Sequence, residues 1–335
     1  MSRRAAALVA VGALAVVGGC TSSAGVSASK PAHRPASPSA ASSSPAAHPS
    51  GPLHVTVRAV HWHLPVPVSR GAVVPVGHGG VLAGGLLAGD VSTTHAYRVD
   101  PAAGTVTPIA RLAVAAHDVA GATTGGAPTL FGGGGATELS VVQRLGRGSH
   151  WHVVGHLPGA RSDLSAAQDG ASVLLIGGYD GVTSPPALLR TSDGHRFRPV
   201  GRLPHGLRYA AVAIRNGTAW VLGGEQNDVE LRSVYAIDLS TGAVRRAGRL
   251  PIATGHAAAV WVGHRILLLG GRRSPQNPTA AMWWFDPARH HWSRAGRLPY
   301  PVADAPALTV GSSTYLLGGE TPSFTTRVAR VSWSH

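Results

Sequence analysis

A chain of 335 residues with 44 Gly, 25 Pro and only 13% charged residues has the composition of many short strands joined by tight turns. This composition excludes a protein built on long charged helices, and the sequence predicts an all-β fold. The net charge of +14 comes almost wholly from arginine, because Lys30 is the only lysine.

The first 19 residues predict an export signal. Arg3 and Arg4 precede an apolar run of about 15 residues, which is shorter than the roughly 20 residues needed to span a bilayer. The run ends in Val17-Gly18-Gly19-Cys20, which resembles the lipobox of bacterial lipoproteins. The resemblance implies cleavage before Cys20 and acylation of its thiol with fatty acids that include palmitate. The alternative is an uncleaved signal anchor with an incidental cysteine.

Residues 20–52 predict a linker that follows this lipidated cysteine. They are rich in Ser, Ala and Pro and contain no acidic residue, a composition that cannot bury a core. Thirty such residues reach at most roughly 90 Å at the polyproline rise. A domain beyond them can stand clear of the membrane on its extracytoplasmic face, where nucleic acid is not an expected partner.

An internal repeat fills the rest of the chain, residues 53–335. A junction leucine recurs every 45–48 residues, at Leu64, Leu112, Leu157, Leu203, Leu250 and Leu298. Turn signals follow each one, at 79–80, 125–126, 169–170, 216–217, 263–264 and 311–312. An apolar strand then ends in a diglycine, at 84–85, 133–134, 177–178, 223–224, 270–271 and 318–319. Six copies of one strand pattern are therefore expected.

Further positions of the repeat identify a family. An aromatic residue and an acidic turn follow the diglycine in three copies, as Tyr97 with Asp100, Tyr235 with Asp238 and Trp284 with Asp286. This pattern resembles the Kelch repeat, which also forms the central domain of galactose oxidase. The resemblance implies a six-bladed β-propeller. The segment His54–Leu64 precedes the first repeat, and we expect it to complete the last blade by pairing with the strand near the C-terminus, which hides two sheet edges.

One position of the repeat predicts the functional site. Six residues after the junction leucines stand Arg70, Asp118, Asp163, Tyr209, His256 and Asp304, which propeller geometry would direct into the mouth of the central channel. Longer loops are expected over this ring, carrying Asp90, Glu138, Tyr179, Asp180, Glu225, Asp228, Arg272, Arg273 and Glu320. A concave mouth with convergent polar groups is the default place for a ligand. Three carboxylates there are expected to raise one another's pKa.

No metal or other cofactor is expected. The 18 His residues form no HExxH motif, and no GxSxG motif is present. The copper site of galactose oxidase needs a cysteine crosslinked to a tyrosine, and Cys20 is the only cysteine.

These features leave three functions open. The first is a monomeric, membrane-anchored binding or scaffolding lipoprotein whose propeller holds an envelope protein or a glycan. The second is an enzyme, because the resemblance includes sugar mutarotases such as the sialic acid epimerase, and Asp163, His256 and Asp304 offer an acid and a base. The third is a purely structural propeller in a larger envelope complex.

Overall fold

The computed structural model describes residues 53–334, and these residues form six antiparallel four-stranded sheets. The predicted export signal, Cys20 and the linker lie outside the described residues. Strands are numbered here in chain order. Blades 1 to 3 consist of β2 (Ala72–Val76), β3 (Gly79–Ala83), β6 (Ala96–Asp100) and β7 (Thr105–Pro108); of β8 (Ala120–Thr124), β9 (Ala127–Phe131), β10 (Val141–Leu145) and β11 (Trp151–His156); and of β12 (Ser162–Asp169), β13 (Ser172–Tyr179), β14 (Ala187–Thr191) and β15 (Arg198–Arg202).

Blades 4 to 6 repeat the arrangement. Their strands are β16 (Ala211–Arg215), β17 (Thr218–Leu222), β20 (Ser233–Asp238) and β21 (Val244–Arg249); β22 (Ala258–Val262), β23 (Arg265–Leu269), β24 (Ala281–Asp286) and β25 (His291–Arg297); and β26 (Ala307–Val310), β27 (Ser313–Leu317), β28 (Val328–Ser334) and β1 (His54–Ala59). Two small hairpins, β4 (Leu86–Leu87) with β5 (Val91–Ser92) and β18 (Glu225–Gln226) with β19 (Val229–Glu230), extend the loops after the diglycines, and one 3-10 turn spans Arg147–Ser149. The six-bladed propeller is confirmed.

The first and last strands of the chain close the ring. β1 pairs antiparallel with β28 over six residues, from His54 opposite Ser334 to Ala59 opposite Ala329. Blade 6 therefore combines three strands from the end of the chain with one strand from residue 54 onward, as the sequence predicted. The innermost strands of the six blades contact one another in a closed cycle.

Six apolar clusters, one at each interface between neighbouring blades, form the core. Phe131 of blade 2 and Leu175 of blade 3 are fully buried in one such cluster, and Leu316 of blade 6 is buried in another. Packing between blades therefore supplies most of the apolar burial, which stabilises the ring as a unit.

The diglycines allow the blades to approach closely. The second glycine of each pair has a φ of 90–117° and donates its N–H to a carbonyl at the start of the next blade, for example Gly178 to Leu207 at 2.9 Å. A Cβ on Gly177 would lie 2.3 Å from the Leu207 carbonyl oxygen, so any side chain there would force the blades apart.

Three predicted positions of the repeat are wrong by one or two residues. In blade 2 the diglycine is 132–133 rather than 133–134, because the run of four glycines from 132 hides which pair adopts the positive φ values. The hairpin turns of blades 1 and 3 occupy 77–78 and 170–171 rather than 79–80 and 169–170. In blade 1 both residues of the predicted turn belong to β3, and in blade 3 Asp169 belongs to β12.

Within residues 53–334, no helix combines the length and the hydropathy needed to cross a lipid bilayer.

Candidate functional site

The six predicted ring residues occupy one equivalent backbone position at the inner start of each blade. All six have a left-handed backbone conformation, with φ between 50° and 58°, and they are Arg70, Asp118, Asp163, Tyr209, His256 and Asp304. We call them the ring residues, and we call the side of the propeller that carries them and the loops after the diglycines the loop face. The opposite side, which carries the tight turns between first and second strands, is the hairpin face.

The backbones of the ring residues form a closed cycle of hydrogen bonds. Each ring residue donates its N–H to the carbonyl of the ring residue in the preceding blade, at 2.7–3.1 Å. The cycle is completed by Arg70, whose N–H donates to the carbonyl of Asp304 at 3.1 Å. The side chains are therefore fixed to a rigid frame around the channel axis.

Left-handed backbone is costly for residues with a Cβ, by about 1–2 kcal/mol each, whereas glycine adopts it freely. Glycine at these six positions would satisfy the same backbone cycle, so the cycle does not require the side chains that are present. A repeated strain of this kind at one locus is typical of functional sites.

His256 lies at the centre of a buried ionic group. Its Nδ1 is 2.6 Å from Asp304 Oδ1 and its Nε2 is 3.1 Å from Glu225 Oε2, so a protonated imidazole donates from both nitrogens. Its side chain is fully buried. Arg272 Nη2 donates to the same Glu225 oxygen at 2.9 Å. Asp304 Oδ2 is buried without a hydrogen-bond partner among the described residues.

Tyr209 connects this group to the other side of the ring. Its ring stacks on the imidazole of His256 with centroids 3.7 Å apart, and its hydroxyl donates to Asp118 Oδ2 at 3.3 Å. Arg70 Nη1 is 3.5 Å from both that hydroxyl and Asp118 Oδ2, and its Nε donates to Glu320 at 2.9 Å. The loop residue Glu320 thus holds Arg70 over the ring.

Arg208, the residue just before Tyr209, completes the network. It donates to Asp163 at 3.2 Å, to Glu225 at 2.8 Å and to Asp228 at 2.6 Å. The side chain of Arg208 keeps 20% of its surface exposed, while those of Asp163 and Glu225 keep 5% and 1%. The guanidinium of Arg208 therefore lies nearer to solvent than the carboxylates of Asp163 and Glu225, whereas its third partner, Asp228, is exposed.

The carboxylates of the ring fall into two classes of proton affinity. Burial raises the pKa of Asp118 well above its usual range, and the charge of Asp163 adds to that rise. Burial also raises the pKa of Asp163, against the opposing charge of Arg208. Burial acts in the same direction on Asp304 and Glu225, but His256 outweighs it, lowering the pKa of Asp304 and, with Arg272, lowering that of Glu225 to about 2.

His256 itself responds to its partners. Burial disfavours its charged form, yet the charge and hydrogen bond of Asp304 raise its pKa above the ordinary value. The expectation that the three ring carboxylates raise one another's pKa therefore holds for Asp118, whereas burial is what raises the pKa of Asp163, and the expected direction is wrong for Asp304. The reason is that Asp304 has a cation within hydrogen-bonding distance, which outweighs the like charges farther away.

A cavity of about 180 Å³ lies on the channel axis and is lined by all six ring residues. The residues that follow them on the inner strands, such as Leu164, Ala210 and Ala257, supply its apolar walls. This volume is below the roughly 300–1,000 Å³ of drug-sized sites, so the cavity suits one small polar group or a single sugar unit. Among residues 53–334, no cluster of three or more His, Cys, Asp or Glu side chains could hold a metal ion.

Of the nine loop residues expected over the mouth, four form hydrogen bonds within the network: Glu225, Asp228, Arg272 and Glu320. A fifth, Tyr179, has its ring centroid 5.2 Å from the guanidinium carbon of Arg208. Asp180 instead accepts hydrogen bonds from Val182 and Thr183 within its own turn. Arg208 was missed by sequence reasoning. The signal was available, because the residue before each ring residue pairs with the residue after a diglycine, as Arg208 does with Glu225.

Comparisons with known proteins agree with this architecture. The Kelch motif family model matches residues 253–299, which include His256 and all of blade 5. The chain is a six-bladed propeller whose fifth blade matches the Kelch motif. The solved structure of YjhT resembles this propeller with a TM-score of 0.70 and 16% sequence identity, over 81% of this chain and 96% of that chain. At this identity the likeness shows the fold alone. A comparison with curated protein sequences found no match.

Proposed function

We propose that the protein is a binding protein whose ring residues hold a polyhydroxylated ligand, such as a sugar unit of a glycan, at the channel mouth. The observation that carries the proposal is the left-handed backbone at six non-glycine positions. The fold itself needs only the cycle of backbone hydrogen bonds at these positions. We therefore attribute the backbone strain to a binding role of the six side chains.

The chemistry of the mouth fits hydroxyl groups. Fixed donors, the guanidinium groups of Arg70 and Arg208, contact fixed acceptors, the carboxylates of Asp118 and Asp163, and Asp304 adds a third carboxylate to the mouth. A sugar hydroxyl both donates and accepts, so it can insert between such pairs without leaving a buried charge alone. A concave cavity of about 180 Å³ also fits a small ligand better than the flat surface of a protein partner.

A second candidate function is a sugar mutarotase or epimerase acting at the same site. The specific observation in its favour is the split in proton affinity, with raised pKa values at Asp118 and Asp163 and lowered values at Asp304 and Glu225. Groups whose environments drive their pKa values apart are the usual acid and base of such reactions.

The Asp163→Asn variant tests the binding site. We expect it to weaken the binding of monosaccharides at least about tenfold, because an amide cannot replace the carboxylate as a charged acceptor. We expect no loss of thermal stability, since burial already disfavours the ionised carboxylate. Isothermal titration against a panel of neutral and acidic monosaccharides, with melting curves of both proteins, measures the two effects.

Asp169→Asn is the matched control, because Asp169 ends the same strand, β12, on the hairpin face and is exposed. Equal sugar binding by wild type and Asp163→Asn would show that the ring residues do not form the sugar-binding site. Exchange NMR between the anomers of the bound sugar separates the two candidate functions. Exchange accelerated by wild type and lost in Asp163→Asn identifies the mutarotase, whereas binding without acceleration identifies the binding protein.

We also propose that the propeller is tethered by an acylated Cys20 to the extracytoplasmic face of the membrane, which the lipobox resemblance supports. The Cys20→Ala variant is expected to lose acyl labelling and to leave the lipid-modified membrane fraction, because the acceptor thiol is gone. Metabolic labelling with a palmitate analogue, followed by detergent partitioning, measures both. Unchanged labelling in the variant would contradict the anchor.

A further inference from the structure

A second cleft lies between blades 6 and 1, and no ring residue lines it. It has a volume of about 600 Å³, and its lining comes from β1 and the residues after it, from the β6–β7 turn of blade 1 and from the β26–β27 hairpin and β28 of blade 6. We call it the seam cleft, because β1 and β28, the first and last strands of the propeller, pair there.

One wall of the seam cleft presents two arginines side by side. Arg58 of β1 is the direct cross-strand partner of Arg330 of β28, and both line the cleft. Like charges placed directly opposite on neighbouring strands destabilise a sheet. Among the described residues, neither arginine forms an ion pair with a carboxylate. Asp100, at the end of β6 beside the cleft, accepts instead from the N–H groups of Ala102 and Ala103.

The equivalent arginines of two other blades are used differently. Arg144 of blade 2 donates across the blade interface to the carbonyl of Asp193, and Arg190 of blade 3 donates to the carbonyl of Leu239. These contacts bridge their blades to the next. Arg330 turns back to its own blade and donates from Nε and Nη2 to Ser313 Oγ at 3.1 and 3.0 Å. No bridge to blade 1 forms from Arg330, and the cleft stays open at this interface.

The part of the wall beside Arg330 is aromatic and largely buried. Trp62 and Tyr315 lie with ring centroids 6.0 Å apart, and the guanidinium of Arg330 lies 5.8 Å from the Tyr315 centroid. A Cβ on Gly104 would come within 2.9 Å of the Trp62 ring, so the turn of blade 1 must keep a glycine to pack there. The cleft thus combines a paired cationic edge with a rigid aromatic wall.

We propose that the seam cleft binds a phosphate ester, with its phosphate held by Arg58, Arg330 and Ser313 and its organic part against Trp62. A planar carboxylate is satisfied by one guanidinium in bidentate contact, whereas a tetrahedral phosphate offers oxygens to two guanidiniums and a hydroxyl at once. The volume exceeds what an inorganic ion needs, so the phosphate is carried on a larger body. This site is independent of the proposed sugar site in the ring.

Titration of the purified protein with phenyl phosphate, monitored by calorimetry, tests the site, because this ester carries no sugar that could bind at the ring. We expect saturable binding that inorganic phosphate competes away and phenol does not. Arg58→Gln and Arg330→Gln are each expected to weaken it at least about tenfold, because each removes charge-assisted hydrogen bonds. Arg58 is exposed, so its variant keeps the fold, and its melting temperature should equal or exceed that of wild type once the like-charge pair is gone.

Arg198→Gln is the matched control. Arg198 is likewise the cross-strand partner of an arginine, but that neighbour, Arg190, is already bound to the Leu239 carbonyl. A vesicle arm with the Cys20→Ala chain identifies the source of the phosphate. Capture by phosphatidylglycerol vesicles but not phosphatidylcholine vesicles, lost in Arg58→Gln, assigns a lipid headgroup, whereas binding of phenyl phosphate alone assigns a soluble ester.

Two results would overturn the proposal: no binding of either probe in the millimolar range, or binding that both arginine substitutions leave unchanged. Asp163→Asn should not alter phosphate-ester binding. The phosphate-ester proposal therefore stands if the sugar-binding test fails, and the sugar-binding proposal stands if the phosphate-ester test fails.

Discussion

His256→Ala is expected to lower the free energy of unfolding by about 3–5 kcal/mol, the range found when one partner of a buried ion pair is removed. The substitution leaves Asp304 and Glu225 buried at the channel mouth without the cation that bridges them. Arg272 still pairs with Glu225, but Asp304 Oδ2 already lacks a partner and Oδ1 would lose its own. Chemical denaturation followed by tryptophan fluorescence measures the difference.

The loss of unfolding free energy in His256→Ala should depend on pH. The pKa of His256 is raised in the folded state, so its contribution is complete below about pH 6.5 and is lost as the pH rises through the raised pKa. The pKa values of Asp304 and Glu225 are lowered, so their contribution is present above about pH 4 and is lost as the pH falls. The difference between wild type and His256→Ala should therefore be largest in the weakly acidic window between these limits.

His264→Ala provides the control, because His264 is an exposed turn residue at the hairpin-face end of the same blade. It should change the free energy of unfolding by less than about 0.5 kcal/mol. A loss of similar size in both variants, or a loss for His256→Ala that is independent of pH, would show that the imidazole only fills space.

Deleting residues 54–64 is expected to lower the melting temperature more than any single substitution considered above. The deletion removes β1, exposes the edge of β28 and takes Trp62 and Leu64 out of the cluster between blades 6 and 1. Burial of one large apolar side chain alone contributes about 1.5–3 kcal/mol. Two backbone hydrogen bonds, from Val60 to Val328 and from Leu64 to Thr326, are lost as well. Scanning calorimetry measures the shift.

Deleting residues 21–48 of the predicted linker is the control for chain length, and we expect no change in melting temperature. If both deletions lowered it equally, β1 would not be the strand that secures the ring. An exposed β28 edge should also promote association, which light scattering of the shorter protein would detect.

The sequence allowed the ring residues to be predicted because a propeller converts a repeat position into a shared place in space. Six residues at one offset from the junction leucines had to meet at the axis once the blade number was known. The partners of each ring residue followed no such rule. That His256 lies between Asp304 of the next blade and Glu225 of the preceding one depends on side-chain reach across blade boundaries.

The dependence on side-chain contacts across blade boundaries also explains the errors of the sequence-based predictions. Repulsion among carboxylates was the natural expectation from three aspartates in one ring, but the direction of the pKa of Asp304 is decided by a single contact of 2.6 Å. The seam cleft was also beyond sequence reasoning. Arg58 and Arg330 are 272 positions apart in the chain, and only the register of β1 with β28 shows that they are neighbours.

The cycle of hydrogen bonds through the ring residues has neither a first nor a last member. Each blade gives one N–H to the blade before it and offers one carbonyl to the blade after it, and the contact between Arg70 and Asp304 is of the same kind as the other five. The axis therefore carries no mark of where the polypeptide starts. Circularly permuted chains that begin between the third and fourth strands of another blade would rebuild the same central frame, and because these turns lie on the hairpin face, the new termini would leave the loop face and its side chains uncut.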